Sequence, residues 1–370
     1  MLVAGHIAKD IHIEIGDSNK LPNEFKKLLR ISTPVSMIGD VINKRWSFEH
    51  VLDVLKDNAT EPVSYSYGGR GPNVAYGAAL LGAHTELIGF VGEDFDKQYP
   101  GFFDGPYREH LKKAGVNVRE LVIRPDELLS INEEEHEHGV MVIRAKETSS
   151  IYCIRDSYGI DFYFIDDVKG AHVYATSSPI PKRLINRYDG VFVTSGEPAF
   201  NRRLIDYAYQ RGKEVFFDIA AYETTTEYLR SVIPKCNTVL GNTYEIDLVK
   251  STFDLNDIHE LFHISPNLLT IIVEDKIACT IEVHQKGSRR PVKIGPVYVQ
   301  ERISSVGCCD GMAAGYLALY SQGHDIINAA KAGLLQCSNI WQVEGVQEGM
   351  LDREQLFHKI RENFIPFEEA

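Results

Sequence analysis

Basic residues are in short supply: 39 Lys and Arg stand against 52 Asp and Glu, a net charge of −13 over 370 residues. A nucleic-acid groove or an anionic membrane surface needs a concentrated basic footprint, so neither is expected as a partner. No window reaches the ~18 apolar residues of a spanning helix. The first residues, MLVAGHIAKDIHIEIG, lack the positive start and long apolar stretch of a secretory leader. Six cysteines (Cys153, Cys236, Cys279, Cys308, Cys309 and Cys337) show no CxxC spacing, so no zinc or disulfide framework is legible and a reducing, cytoplasmic setting is expected. Familiar ligand motifs are missing too. There is no GxxxxGK[ST] loop, no GxSxG and no HExxH, and Gly69-Arg70-Gly71-Pro72-Asn73-Val74 lacks the third glycine of a dinucleotide fingerprint. The run INEEEHEHG (131–139), with His136 and His138, reads as a solvated turn before it reads as a metal site.

What is present is a globular composition, 44% hydrophobic, enough for a sizeable core in one large or two ordinary domains. The chain opens with a strand over 1–15, broken by a turn at Gly5 and continued by the alternation Ile11, Ile13, Ile15. Helices are expected over 21–30, 47–57 and 106–114, and strands over 64–67 and 86–92. Three more strands are expected within 148–176, the last of them HVYAT (172–176). From 189 onward, continuous apolar strands alternate with helices, the pattern of a parallel sheet covered on both faces. Ligands of such sheets bind beyond the carboxyl ends of the strands. Asp218, Asn242, Glu274 and the turn 304–310 all fall at or just after expected strand ends.

Four local features carry chemistry. SSVGCCDGMAAGYLALYSQG (304–323) is a small-residue turn leading into a helix with Asp310 in its first turn. The backbone N–H groups of such an end lack intrahelical partners and suit a phosphate, although a plain capped helix has the same look. GGRGPNVAYGAALLGA is a glycine loop running into a helix; Gly68, Gly69 and Gly71 permit close backbone approach and Asn73 can bond sugar hydroxyls, while a tight strand–helix connection is the plainer alternative. Asp10, just after the first strand, can accept from two hydroxyls. Asn242 and Glu245 in NTYE can organise the water shell of Mg²⁺, or can be an ordinary capping box.

Taken in order, these features resemble the ribokinase-like (PfkB) family of carbohydrate and nucleoside kinases. VAGHIAKDI is similar to the family's first strand, GGRGPN to its first signature, IGFVGEDF to IGxVGxDxFG, KKAGVNV to its GV segment, NTYE to N-x-x-E, and VGCCDGMAAGYLALY to the second signature. The resemblance implies an α/β, three-layer Rossmann-like sheet in a single domain over 1–370, with a small β lid. We assign the lid to parts of 8–20 and 145–166, and read about 18–60 as a helical insertion that serves a lid or an oligomer contact, leaving a homodimer open. It further implies an ATP- and Mg²⁺-dependent kinase of a sugar or nucleoside hydroxyl. Asp310 would be the base, and the backbone of Gly307, Cys308 and Cys309 the anion hole. Asp10, Gly68, Gly69 and Asn73 would hold the substrate. Asn242, Glu245, Glu274 and Ser305 would stand on the nucleotide side, Asn242 and Glu245 acting on Mg²⁺ indirectly. Three departures stand out: GCCD replaces GAGD, Ser304-Ser305 replaces Asp-Thr, and Glu274 and Ile277 occupy two positions where glycines are usual. They motivate an alternative, a sugar- or nucleoside-binding protein of the same fold without catalysis. A nicotinamide-dependent dehydrogenase is the third reading.

Overall fold

The computed structural model describes residues 1–21, 33–34, 48–157, 161–165, 170–220 and 224–362. The helix expected over 21–30 and most of the insertion at about 18–60 lie outside the described residues. Two sheets organise the rest. The larger has ten strands, in spatial order β15 (Val292–Ile294), β14 (Thr280–Gln285), β13 (Thr270–Asp275), β12 (Thr238–Asn242), β11 (Glu214–Asp218), β10 (Gly190–Val193), β1 (Leu2–Ala4), β5 (Glu86–Gly92), β7 (Val140–Ile143) and β6 (Glu120–Ile123). Every pairing from β13 to β6 is parallel, and β14 and β15 close one side as an antiparallel hairpin and edge.

Both faces of this sheet are covered, which is why its strands are apolar throughout. On one face lie α2 (Arg70–Leu80), α3 (Tyr107–Lys113), α7 (Cys308–Ser321) and α8 (Ile326–Ile340), packed on Val3, Leu87, Phe192, Phe216, Leu240 and Ile272. On the other, α4 (Pro198–Gln210), α5 (Thr226–Val232) and α6 (Thr243–Phe253) pack on Leu2, Ile88, Val191, Val215 and Val239. Neighbouring positions such as Leu2 and Val3 therefore serve opposite layers, as the two-residue period of a strand requires.

The second sheet has five strands in the order β3 (Thr33–Pro34), β9 (Asp161–Ile165), β8 (Ser149–Arg155), β2 (Ala8–Glu14) and β4 (Ser64–Gly68). The chain leaves β1 at Gly5 and enters β2 three residues later, so the single strand expected over 1–15 is two strands in two sheets. The alternation in β2 decides its faces. Ile11, Ile13 and Ile15 share an apolar cluster with Val51, Leu52 and Leu55 of α1 (Phe48–Asp57), while Asp10, His12 and Glu14 line a cleft.

Two sequence expectations are corrected. HVYAT is not a strand but part of a 3₁₀ segment, Ala171–Ser177. Its two fully buried residues are Ala171 and Ala175, a helical spacing that the apolar content of the stretch conceals. His136 is not a solvated residue: it is buried, and burial pushes its imidazole down to about 4. Among the described residues, no group of three or more His, Cys, Asp or Glu is arranged to hold a metal ion, and no helix is long and apolar enough to cross a membrane.

Candidate active site

The cleft forms where the carboxyl ends of β12 and β13 and the amino ends of α2 and α7 face the polar side of the small sheet. It has two connected parts. One, of about 250 Å³, is lined by Asp10, Gly69, Arg70, Asn73, Asn242, Glu245, Lys276, Ser305, Gly307, Cys309 and Asp310. The other, of about 360 Å³, extends along β2 and β4 to His12, Tyr65, Arg155, Glu344 and Glu348. Asp10, Cys153, Tyr163 and Val306 belong to both.

α7 begins at the floor of the cleft. Its cap, Gly307, has φ +74°, and a Cβ there would lie 2.2 Å from Val346 Cγ1, so both backbone conformation and space require glycine. Asp310 is the third residue of the helix and is buried. One carboxylate oxygen accepts from Asn73 Nδ2 at 2.8 Å and the other from Arg70 Nε at 3.1 Å. The two cysteines of GCCD do not turn their sulfurs toward a phosphate. Cys308 Sγ is directed at the Cys337 carbonyl at 3.7 Å and Cys309 Sγ donates to Glu274 at 2.9 Å. Burial, reinforced by Glu274, raises the Cys309 thiol well above its ordinary range, so it stays a protonated donor. Gly307 and Cys309 line the cleft at this helix end, whose first amides lack intrahelical partners, while the Cys308 N–H donates to the Ser305 carbonyl at 3.4 Å.

Arg70, the first residue of α2, was not singled out by sequence reasoning. Its guanidinium joins three carboxylates: Asp218 at 2.5 Å, Asp310 at 3.1 Å and Glu245 at 3.9 Å, and it donates to the Ile219 carbonyl at 3.3 Å. Asp218, at the end of β11, also accepts from Thr194 at 2.7 Å. The signal available beforehand was an arginine inside a glycine loop with acids at several strand ends. What was not available was that those strand ends converge.

Asn242 and Glu245 form a complete capping box. Asn242 Oδ1 accepts from the Glu245 amide at 3.0 Å, and Glu245 Oε2 accepts from the Asn242 amide at 2.9 Å. The same two residues line the cleft, so the cap itself forms part of the cleft wall, with Glu245 Oε1 turned toward Arg70. Ser305 is exposed on the approach to α7. Glu274 is set apart from the other nucleotide-side residues: it is buried beneath α7 and α8, accepting from Cys309 and Cys337, each at 2.9 Å. The side chain that β13 and its turn present to the cleft is Lys276.

Of the residues expected to hold the substrate, Gly68 and Gly69 are shaped by Asp10 and the backbone leading into its strand. A Cβ on Gly68 would fall 1.9 Å from Asp10 Oδ1, and Gly69 has φ +87° with the His6 carbonyl 2.3 Å from where its Cβ would be. Asp10 is buried yet lines both parts of the cleft, and its Oδ1, packed against Gly68, has no hydrogen-bond partner among the described residues. Burial, then the charges of Asp310 and Glu348, raises the Asp10 carboxyl well above its usual value. Tyr65 lines the cleft, but Tyr67 does not: it is fully buried and stacked on His110 with ring centroids 3.9 Å apart.

Comparison with known proteins gives a consistent result. The model of the pfkB family of carbohydrate kinases matches residues 32–353. A nucleoside kinase of Methanothermobacter thermautotrophicus is 25% identical over 290 residues, covering 77% of this chain and 82% of that protein. The crystal structure of the Methanocaldococcus jannaschii nucleoside kinase, an archaeal member of the ribokinase family, superimposes with a TM-score of 0.71 at 18% identity, covering 98% of this chain and 97% of that one. The Burkholderia thailandensis nucleoside kinase in complex with inosine gives a TM-score of 0.71 at 15% identity, covering 100% and 99%. The three-layer sheet is thus the ribokinase-like fold.

Proposed function

The chain belongs to the pfkB family of carbohydrate kinases, a phosphotransferase acting on hydroxyl groups, and from that premise we propose that it transfers the terminal phosphoryl group of ATP to a nucleoside hydroxyl, with Asp310 as the base. The observation that carries this reading is the convergence at one cleft of the α7 amino terminus, Asp310 held by Asn73, and Asp10 on the wall shared by its two parts. The acceptor class rests on room. A free pentose needs little beyond Asp10 and Asn73, whereas the part of the cleft running past Tyr65 and His12 leaves about 360 Å³ for a base. The small sheet, whose polar face forms one wall of the cleft, acts as the lid.

In the mechanism, Asp10 and Asn73 hold the sugar hydroxyls and Asp310 orients the acceptor hydroxyl. Phosphoryl transfer passes through a loose transition state, so positioning and charge stabilisation dominate. The amides of Gly307, Cys308 and Cys309 supply fixed N–H dipoles to the transferred group without a phosphate loop. Asp310 accepts the hydroxyl proton as the new bond forms and the bond to the leaving ADP breaks, while Arg70 and Asn73, both donating to it, fix the orientation of its carboxylate. Lys276 and Arg70 are the cations available to the donor phosphates. For Mg²⁺ the residues fit a loosely held ion: without an all-protein cage among the described residues, Glu245 and Asn242 would hold it through water while phosphates supply most ligands. Bound there, the ion would neutralise charge on the donor phosphates.

Asp310→Asn tests the reading. We expect turnover to fall by about 10²–10⁴-fold, the usual worth of a positioned base, with nucleoside affinity by calorimetry essentially kept. Near-normal turnover in this variant overturns the assignment. A panel of nucleosides and free pentoses separates the acceptor classes by kcat/KM.

A further inference from the structure

Behind the cleft runs a chain of buried polar side chains that no motif announces. Asn73 Oδ1 accepts from Gln347 Nε2 at 2.8 Å. The same Gln347 nitrogen donates to Tyr107 Oη at 3.1 Å, and Gln347 Oε1 meets His110 Nε2 at 2.8 Å. Tyr107 in turn donates to the Gly68 carbonyl at 2.6 Å. Asn73, Tyr107, His110 and Gln347 are all buried.

The polarity of this chain is fixed from its ends. The Asp310 carboxylate and the Gly68 carbonyl can only accept. Asp310 therefore demands the NH₂ of Asn73, which turns the Asn73 carbonyl away, toward a donor. Gly68 demands the Tyr107 hydroxyl hydrogen, which leaves the phenol oxygen to accept. Gln347 meets both needs with its two N–H groups. Its own carbonyl then requires a donor, and His110 Nε2–H supplies it. Burial lowers the His110 pKa, so the ring is neutral at physiological pH with its hydrogen on Nε2. The other ring nitrogen, Nδ1, approaches the Asp104 carboxylate no closer than 3.4 Å.

We propose that Gln347 is a positioning residue for Asp310: by donating to Asn73 it holds the Asn73 amide in the single orientation that presents NH₂, not C=O, to the base. His110 and Tyr107 lock Gln347 in turn. An inverted Asn73 would set its carbonyl 2.8 Å from a carboxylate oxygen, and the acid would move. The inference rests on Asp310 being the base, and goes beyond that reading by naming a group in the C-terminal segment, behind the cleft lining, on which the base depends.

The test is a double-mutant cycle on steady-state rates with ATP·Mg²⁺ and the best nucleoside of the panel. Gln347→Glu keeps shape and still accepts from His110, but offers Asn73 no donor. We expect kcat to fall by roughly 10- to 100-fold, the scale of a misplaced catalytic group, with the KM for ATP unchanged. In an Asn73→Ala background, where there is no amide left to orient, the same substitution should change kcat by less than about twofold, since its effect travels through Asn73. An equal loss in both backgrounds indicates a merely structural role and overturns the proposal, as does an unchanged kcat for Gln347→Glu. If a melting curve shows that the glutamate unfolds the protein, Gln347→Met, uncharged and unable to donate, takes its place in the cycle with the same expectations. Asp310→Asn run alongside keeps the two claims apart: an active Asp310→Asn refutes the base itself, whereas an inactive one with a normal Gln347→Glu refutes only the positioning role.

Discussion

Replacing Arg70 by methionine strips the cleft floor of its main counter-charge. The guanidinium meets Asp218 at 2.5 Å, Asp310 at 3.1 Å and Glu245 at 3.9 Å. Its side chain is 16% exposed and that of Asp218 is fully buried, so these pairs are unlike screened surface bridges worth about 0–1 kcal/mol. Removing one partner of a buried pair strands the other charge and costs about 3–5 kcal/mol. Methionine keeps much of the aliphatic stem, so lost packing contributes little of this. Urea denaturation at neutral pH should show R70M destabilised by that amount. Asp218→Asn removes the stranded charge, so the double variant should be about 2–3 kcal/mol more stable than the sum of the single effects, the scale of coupling between contacting groups. A third check is pH. Burial raises the Asp218 carboxyl to about 7 from 3.8; Arg70 and Thr194 hold it partly down, and Glu245 and Asp310 push it up. A carboxyl whose folded pKa exceeds its unfolded one keeps a proton that the unfolded chain has released, so its contribution to stability falls as pH rises from 3.8 to about 7. Without Arg70 the folded value climbs and the window extends upward, so the deficit of R70M should stay level between pH values of about 5 and 6 and widen above about 7. Stability within about 0.5 kcal/mol of wild type, strict additivity in the double variant, or a deficit that shrinks with pH would refute the reasoning.

Other perturbations follow from the same geometry. Gly307→Ala must adopt φ +74° and overlap Val346, and should lose about 1–2 kcal/mol for the left-handed conformation plus about 1–3 for overpacking; Val346→Ala in the same chain should restore only the second part, read from melting curves. Gly68→Ala drives a Cβ into Asp10 and should raise the nucleoside KM about tenfold, the loss of one good hydrogen bond; an unchanged KM would remove Asp10 from the substrate site. Asn242→Ala breaks a complete capping box and should cost about 0.5–2 kcal/mol of stability, whereas Asn242→Asp keeps the cap and should melt like wild type.

The most legible parts of the chain were those where a local pattern fixes a local geometry. The two-residue alternation of Ile11, Ile13 and Ile15 set Asp10 on the opposite face of β2 from the apolar cluster. Glycines at 68, 69 and 307 stand where the backbone allows no other residue, and Asp310 in a small-residue stretch marked the first turn of a helix that opens at the cleft. HVYAT misled because apolar content does not reveal period: only the burial of Ala171 and Ala175 separates a helical turn from a strand. Glu274 stood at the carboxyl end of a strand, yet its neighbours are two thiols from later helices, and no spacing in β13 encodes those.

By itself, then, the order of residues determined the elements, the faces they bury and the turns that aim backbone at a ligand, because dihedral preference and periodicity act over a few residues. Only the tertiary structure decided which side chains meet. Arg70 and Asp310 lie 240 positions apart, and Asn73 and Gln347 lie 274 apart; their contacts exist because α2, α7 and the segment after α8 pack together on one face of the large sheet. The counter-charge of Asp310 and the amide that bonds Asn73 are products of that packing.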